Sequence, residues 1–367
     1  MKEKERTFVK AFYHAMINTE VSHVKFWDRE KEKEWLKRYL LSEPNAILFV
    51  YGPKSSGKTT LLMKVVEELD KSSFIYYWYD LRERVVTGYD SVLRLFFKEK
   101  GWLKRMMEIA PSMFKVPIGV FEFEPKELEK IFSRELDAFE EMRARLERDM
   151  GRGRRPVIVF DELQKLKDVY LNSSNNQRSL VKELFNFFVR LTKVLHLSHV
   201  IVMTSDTFFI EEVYTDSTLE NTSVYFKVDF FNEKTAVEIL SSEGIEKSTA
   251  SEIVSWIGGV PWMMEEVLEN KEEPMETVKA LYKAVKMRIR EILGNMYEED
   301  PNKAEEVKVV LRKLLEGGRV ETEGKDRKHV KELVEKEVLF YDPLDGVVSF
   351  STKLHERAAK ELLGAVG

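Results

Sequence analysis

The sequence contains no cysteine, so disulfide bridges and cysteine-ligated metal centres are excluded, and we expect an intracellular setting. Long apolar runs are also missing, since no segment approaches the ~20 apolar residues that span a bilayer. The opening residues, MKEKERTFVKAFYHAMINTE, lack the apolar core of a signal peptide. Together these absences predict a cytoplasmic protein that does not enter the membrane.

A surplus of charge of one sign is absent as well. Charged residues make up 34% of the chain, but the formal net charge is only −5. Residues 275–367 hold 18 Lys plus Arg against 18 Asp plus Glu, so the sequence does not indicate the basic face of a dedicated DNA-binding domain. With 367 residues, of which 43% are hydrophobic, the chain is long enough for two or three domains with their own cores.

Near-continuous apolar runs alternate with helical patterns in the first two thirds of the chain. Such runs are typical of strands buried on both faces, so we expect an α/β fold with a parallel sheet between helices. The candidate strands are AILFVY (46–51), FIYYWYD (74–80), PVIVFDELQKL (156–166), HVIVMTSD (199–206) and SVYFKVDFF (223–231). Asp28 is expected to cap a helix in 26–43, residues 91–150 are predicted to be mostly helical, and GRGRRP (151–156) is predicted to be a flexible link.

A polar loop bracketed by two glycines follows the first apolar run and precedes a helical pattern. It fits the phosphate-loop pattern G-x-x-x-x-G-K-[ST], in which main-chain amides and a helix N-terminus face an anion. We assign Lys58 to the β- and γ-phosphates, the Thr59 hydroxyl to Mg²⁺ and Thr60 to the α-phosphate. The alternative is an ordinary strand-to-helix turn with a solvated lysine. The predicted nucleotide-binding residues of the loop are Gly52, Pro53, Lys54, Ser55, Ser56, Gly57, Lys58, Thr59 and Thr60.

Two acids end the third predicted strand. Asp161 is expected to hold Mg²⁺, directly or through water, and Glu162 to act as the general base that orients the attacking water. Alternatively, the pair is favoured only by a helix dipole. Ser205, at the end of the fourth strand, is a further candidate catalytic residue, although a cap or turn explains a polar side chain there almost as well.

With these residues in place, the chain resembles the archaeal ATPase family, which is close to the STAND NTPases and to AAA+ proteins. The resemblance spans residues 24–363 and also involves Phe26 to Glu30 and the segment from Trp256 to Pro261. It implies an AAA+/STAND-like P-loop core, a helical lid and a C-terminal winged helix. The implied domains are an extension (1–24), the ATPase core (25–231), the lid (232–274), and a helical linker with the winged helix (275–367).

The resemblance also implies that ATP or ADP binds with Mg²⁺, that Pro261 packs near the adenine, and that Arg29 helps frame the base pocket. The sequence departs from many AAA+ proteins because no arginine stands beside Pro261 or before Thr204. Arg178 and Arg190 are available, but nothing singles them out. This departure leaves oligomeric activation open and predicts slow turnover.

Three functions remain open at this point. The first is a slowly hydrolysing ATPase that acts as a nucleotide-dependent switch. The second is a DNA-handling ATPase that uses its winged helix, and the third is a non-catalytic, nucleotide-stabilised scaffold. A protein partner is expected at the winged helix or at segment 91–150, whose apolar residues are also explained as core. These apolar residues are Phe96, Phe97, Trp102, Met106 and Met107.

Overall fold

The computed structural model describes residues 27–82, 86, 88–104, 116–173, 176–214, 219–317, 320 and 324–364, so the predicted extension 1–24 lies outside it. The strands are β1 (Ile47–Tyr51), β2 (Phe74–Asp80), β3 (Phe97–Glu99), β4 (Phe121–Phe123), β5 (Arg155–Asp161), β6 (Tyr170–Ser173), β7 (Asn176–Ser179), β8 (His199–Thr204), β9 (Ser223–Lys227), β10 (Leu339–Asp342) and β11 (Val347–Phe350). The first helices are α1 (Glu30–Leu41), α2 (Lys58–Glu68), α3 (Tyr89–Phe96), α4 (Pro125–Phe132), α5 (Ala138–Gly151), α6 (Leu180–Val189) and α7 (Thr207–Tyr214). They are followed by α8 (Glu233–Ser242), α9 (Lys247–Ile257), α10 (Pro261–Glu269), α11 (Pro274–Glu299), α12 (Pro301–Leu315), α13 (Lys325–Glu335) and α14 (Lys353–Leu362).

A five-stranded parallel sheet in the order β2-β5-β8-β1-β9 forms the centre of the molecule, which confirms the predicted fold class. Strand β8 lies between β1 and β5. Its register pairs Tyr51 with Thr204 and Asp161 with Met203. The carboxyl ends of these three strands therefore meet at one edge, which brings the loop after β1 close to the acids that end β5.

The side chains of β1 show why the sheet is buried on both sides. Leu48 and Val50 belong to one apolar cluster, and Phe49 and Tyr51 belong to the cluster on the opposite face. All four are at most 2% exposed. Successive side chains of a strand point to opposite faces, so an uninterrupted apolar run is what a sheet covered on both faces requires.

The structure corrects several local predictions. Asp28 does not cap α1: its backbone is in the left-handed region (φ 35°), and its carboxylate accepts a hydrogen bond from the Thr235 hydroxyl of α8 at 2.8 Å. The link 151–156 is shorter than predicted, because Gly151 still belongs to α5 and Arg155 already pairs in β5. The short parallel pair β3–β4 and the hairpin β6–β7 were not predicted.

The first two aromatic residues of segment 91–150 belong to the hydrophobic core and do not form an apolar docking surface. Phe96 and Phe97 are 3% and 2% exposed, and both belong to the cluster that covers one face of the sheet. The suggestion that they contact a partner is therefore wrong. Met106 and Met107 lie outside the described residues.

Beyond the sheet, the chain continues almost entirely as helices. Helices α8, α9 and α10 share one apolar cluster, and this segment (232–274) is called the lid segment below. Helices α11 to α14 and the antiparallel hairpin β10–β11 form another cluster, in which α13, the hairpin and α14 follow one another along the chain. In the part of the chain that the structure describes, every helix is too short or too polar to cross a bilayer.

The lid segment is joined to the core by a close backbone contact. The Phe231 N–H donates to the Gly259 carbonyl at 3.0 Å, and a Cβ added at Gly259 would lie 2.0 Å from the Phe231 carbonyl oxygen. The two backbone segments can approach this closely only because residue 259 has no side chain.

We therefore expect Gly259→Ala to lower the free energy of unfolding by about 1–3 kcal/mol, as backbone displacement in a packed region does. Gly294→Ala is the matched control. Gly294 is an exposed position inside α11 where an added Cβ meets no atom within 4 Å. Removal of a helical glycine there should stabilise the protein by about 0.5–1 kcal/mol. Chemical denaturation of both variants measures the difference, and equal stabilities would contradict the close approach.

Candidate functional site

The loop between β1 and α2 has the backbone shape that its glycines predict. Gly52 has φ +146°, and a Cβ there would lie 2.2 Å from the carbonyl oxygen of Val228, the residue after β9. Ser55 and Gly57 also have positive φ, at 59° and 91°, and Gly57 is the N-cap of α2. The loop therefore turns tightly onto the N-terminus of a helix, where free N–H groups attract anions.

Lys58 lies inside this loop and is only 7% exposed. Its ammonium group donates to the carbonyl oxygens of Gly52 at 3.0 Å and Pro53 at 2.8 Å. Burial lowers the pKa of Lys58 to about 8, and the nearby carboxylates of Glu162 and Asp161 act in the opposite direction. A partly desolvated cation in a curled loop favours a charged anionic ligand.

Ser56 gives independent evidence for a ligand at the loop. Its side chain is fully buried, yet its hydroxyl has no hydrogen-bond partner among the described residues. Buried hydroxyl groups normally find a partner, so such an orphan needs an explanation. Thr60 follows in the first turn of α2 and is half-buried. These polar groups fit a phosphate chain bound along the loop.

The Thr59 hydroxyl donates to Asp161 Oδ2 at 3.0 Å, so the two residues assigned to a cation contact each other. Asp161 is 2% exposed, and burial raises its pKa to about 7 although Arg82 opposes the shift. One carboxylate and one hydroxyl are hard oxygen donors of the kind that Mg²⁺ shares with nucleotide phosphates. Among the described residues no group of three or more His, Cys, Asp or Glu forms an all-protein cage, and Mg²⁺ at a nucleotide does not require one.

Glu162 is held by its neighbours. Its backbone is in the left-handed region (φ 63°, ψ 49°), a conformation that costs about 1–3 kcal/mol and is concentrated at functional sites. The Ser205 hydroxyl donates to Glu162 Oε1 at 2.9 Å, and the amide of Gln164 contacts Oε2. Gln164 in turn accepts from the Thr204 hydroxyl at 2.8 Å. Ser205 therefore orients Glu162, together with Gln164, which the sequence analysis missed although it lies two residues away.

Arg82 was also missed. It follows β2, and its guanidinium Nε lies 3.1 Å from both carboxylate oxygens of Asp80, while Nη2 lies 3.0 Å from Asp161 Oδ2. The sequence drew attention instead to the positions beside Pro261 and before Thr204, and to Arg178 and Arg190. The usable signal was an arginine just after a strand predicted to end at the same edge of the sheet.

Arg29 is buried between the loop and Phe231. Arg29 is 6% exposed and donates to the carbonyl oxygens of Ser56 at 3.1 Å and Asp229 at 2.5 Å. Its guanidinium also lies 4.6 Å from the centre of the Phe231 ring. Phe231 pairs with Gly259, and Pro261 begins α10 two residues later.

The C-terminal region contacts the loop at Lys54 and the neighbouring strands β1 and β9 at their ends. Lys54, which is 64% exposed, lies 2.5 Å from the carboxylate of Glu337. The Tyr51 hydroxyl donates to Asp342 Oδ1 at 3.3 Å, and Lys227 forms an ion pair with Asp342 Oδ2 at 2.9 Å. A cavity of about 200 Å³ remains between the two parts, and its lining includes Pro53, Lys227, Asp229, Phe340 and Asp342.

The sequence is similar to a family of ATPase domains and to ATP-binding proteins of archaea. A family model described as an ATPase domain predominantly from Archaea matches residues 26–267. An uncharacterized ATP-binding protein of Methanocaldococcus jannaschii is 34% identical over 94% of this chain and 96% of its own length. One from Pyrococcus abyssi is 32% identical over 92% of this chain and 98% of its own.

Solved structures show the same fold at much lower identity. A Walker-type ATPase of Pyrococcus abyssi superimposes with a TM-score of 0.63 at 16% identity, covering 91% of this chain and 96% of its own. The ORC2 protein of Aeropyrum pernix, in ADPNP and ADP complexes, has a TM-score of 0.51 at 12% identity, covering 93% and 95%. At these identities the likeness concerns the fold.

The burial of Asp161 makes a pH-dependent stability prediction. An unfolded aspartate titrates near 3.8, whereas Asp161 in the folded protein titrates near 7. Between these values the folded chain keeps a proton that the unfolded chain has released, so raising the pH through this window destabilises the folded state. In nucleotide-free protein with EDTA, Asp161→Asn should therefore gain stability relative to wild type as the pH rises from 4 to 8.

Denaturant unfolding of both proteins at several pH values measures this difference. Asp168→Asn is the control, because it makes the same substitution at an exposed position. A difference between Asp161→Asn and wild type that stays constant from pH 4 to pH 8 would contradict the desolvation described for Asp161.

Proposed function

Because the chain belongs to the family of ATPase domains found predominantly in Archaea, we propose that it binds ATP with Mg²⁺, hydrolyses it slowly and acts as a nucleotide-dependent switch. The observation that carries the proposal is the arrangement at one edge of the sheet. A buried lysine lies in a glycine-bracketed loop, and a hydroxyl–carboxylate pair and an oriented glutamate stand beside it.

The loop supplies the binding energy for the phosphates. The Lys58 ammonium group donates hydrogen bonds to two carbonyl oxygens of its own loop. Phosphate oxygens carry full charge, and charge-assisted hydrogen bonds are about twice as strong as neutral ones. In the proposed complex Lys58 therefore turns to the phosphates, the loop amides surround them, and the Ser56 hydroxyl gains a partner.

Thr59 and Asp161 would hold the Mg²⁺ ion, whose charge would offset the negative charge on the phosphate oxygens. Glu162 accepts the proton of the attacking water, since it is the carboxylate beside the cation site that Ser205 and Gln164 fix in orientation. Turnover is slow because Arg82, the arginine beside Asp161, is held by the Asp80 carboxylate and does not act as a free cation at the phosphates.

For the adenine base of ATP we propose a pocket around Phe231. Arg29 fixes the Ser56 and Asp229 carbonyls and lies over the Phe231 ring, so its part is to shape the pocket wall. Pro261, the first residue of α10, would offer a rigid apolar face from the lid segment, two residues after the Gly259 that pairs with Phe231. The core and lid segment would then close on the nucleotide from opposite sides.

The switch is proposed from the contacts between the loop and the C-terminal region, which we interpret as a winged helix. Lys54 belongs to the phosphate loop and pairs with Glu337, while Tyr51, which ends β1, bonds to Asp342 in the hairpin. A nucleotide that rearranges the loop must therefore disturb this interface, and hairpin movement is transmitted to the loop in the same way.

DNA binding is less favoured than the switch. Basic residues of α13, the helix that would face a duplex, are engaged with the core: Arg327 pairs with Glu211 at 3.0 Å and Lys331 lies 3.8 Å from Glu212. The scaffold hypothesis lacks both hydrolysis and a nucleotide-dependent change of state, and the experiments below separate it from the switch.

We expect Lys58→Ala to abolish measurable ATP binding and Glu162→Gln to keep binding but lose hydrolysis by at least about 100-fold, the usual contribution of a general base. Calorimetry measures binding, and phosphate release measures hydrolysis. Lys64→Ala, which removes a lysine from α2 that pairs with Glu67, is the control and should behave as wild type. Unchanged ATP binding by Lys58→Ala would refute the site assignment, and wild-type binding without phosphate release would favour the scaffold.

The absence of cysteine allows the switch to be followed with introduced labels. Spin labels at Lys71→Cys in the core and Leu344→Cys in the exposed hairpin turn should change their separation between the nucleotide-free and ATP-bound states. A pair within the core, Lys71→Cys with Lys193→Cys, should keep its distance. Identical distance distributions for the first pair in both states, under conditions where ATP binds, would contradict the switch.

A further inference from the structure

Asp161 presents one carboxylate oxygen to two donors at once. The Thr59 hydroxyl lies 3.0 Å from Oδ2, and Arg82 Nη2 lies 3.0 Å from the same atom. The oxygen that the site would offer to a cation is therefore already engaged by a cation of the chain itself. A carboxylate oxygen has about two lone-pair directions, so both are in use.

Arg82 is anchored beside this oxygen without being buried. Its guanidinium makes three contacts with Asp80, from Nε at 3.1 Å to each oxygen and from Nη2 at 2.7 Å to Oδ2. The side chain of Asp80 is 7% exposed, whereas that of Arg82 is 44% exposed. The Arg82 guanidinium can therefore move away from Asp161 toward solvent and still remain bound to Asp80.

We propose that Arg82 competes with Mg²⁺ for Asp161 Oδ2 and thereby sets the Mg²⁺ concentration that nucleotide binding requires. The inference rests on the proposed function, since it concerns the same site. Two cations at one oxygen repel each other strongly when little water separates them. An ion at Asp161 must therefore displace the guanidinium, and the free energy of that displacement is subtracted from metal affinity.

A purely structural role for Arg82 makes a different prediction. If the guanidinium only ties the end of β2 to the end of β5, its removal would lower stability but leave the Mg²⁺ requirement of a folded protein unchanged. The Mg²⁺ dependence of binding distinguishes the two roles, whereas a loss of stability or activity alone does not.

The test is a titration of Mg²⁺ at fixed ATP, with ATP binding followed by calorimetry on the full chain. Arg82→Gln should lower the half-saturating Mg²⁺ concentration by about threefold, the size expected when a part-exposed ion pair is removed. Arg82→Lys should fall between this variant and wild type, because an ammonium group cannot hold Asp80 in a fork and reach Asp161 equally well.

Arg178→Gln and Arg190→Gln are the controls, because each removes one positive charge from the same domain, and both should keep the wild-type Mg²⁺ requirement. Thermal unfolding confirms that each variant is folded, and if Arg82→Gln is not, Arg82→Lys decides. A half-saturating Mg²⁺ concentration that is unchanged or raised in the folded Arg82 variant overturns the proposal while leaving the proposed function intact. Failure of the wild type to bind ATP in Mg²⁺ overturns both.

Discussion

The burial of opposite charges at one edge of the sheet is the constraint on which the site depends. Lys58 and Asp161 are 7% and 2% exposed. Burial lowers the pKa of Lys58 and raises the pKa of Asp161, which favours the neutral form of each side chain. A chain does not desolvate a lysine and a carboxylate without cost, and their mutual attraction only partly offsets it. This cost is understandable if a charged ligand completes the arrangement, with phosphates at the lysine and a cation at the carboxylate.

The fold makes this arrangement possible because the strands are parallel. The carboxyl ends of β1, β8 and β5 lie side by side, so the phosphate loop, Ser205 and the Asp161–Glu162 pair arrive at the same edge from distant parts of the sequence. The same edge also receives Arg82 from β2. The C-terminal region contacts the loop through Lys54 and the end of β1 through Tyr51, so it meets the sheet at this same edge.

The central fold was predictable because its strands are uninterrupted apolar runs and its loop has a pattern with few alternatives. The strand from Phe74 to Asp80 was predicted to the residue. Short elements such as β3 and β4 were not, since three residues that pair only with each other leave no periodicity to read. The prediction that Asp28 caps a helix was wrong because the sequence does not distinguish a capping aspartate from one that binds a distant threonine.

In the site, sequence reasoning found the residues that belong to a motif and missed those that act through tertiary contact. Gln164 is brought to Glu162 by a local turn, and Arg82 reaches Asp161 only because β2 and β5 pair in register. Neither contact is visible until the order of the strands is known. Arg29 was found by resemblance, but its bonds to the carbonyl oxygens of Ser56 and Asp229 depend on the same assembly.

Hydrogen–deuterium exchange shows whether the main-chain amides of the loop bind a triphosphate. We expect ATP with Mg²⁺ to slow exchange in the peptides covering residues 52–60, with a smaller effect around residues 161–164, while the amides of helix α5 keep their rates. Unchanged exchange across residues 52–60 at saturating ATP would mean that the loop does not hold the phosphates.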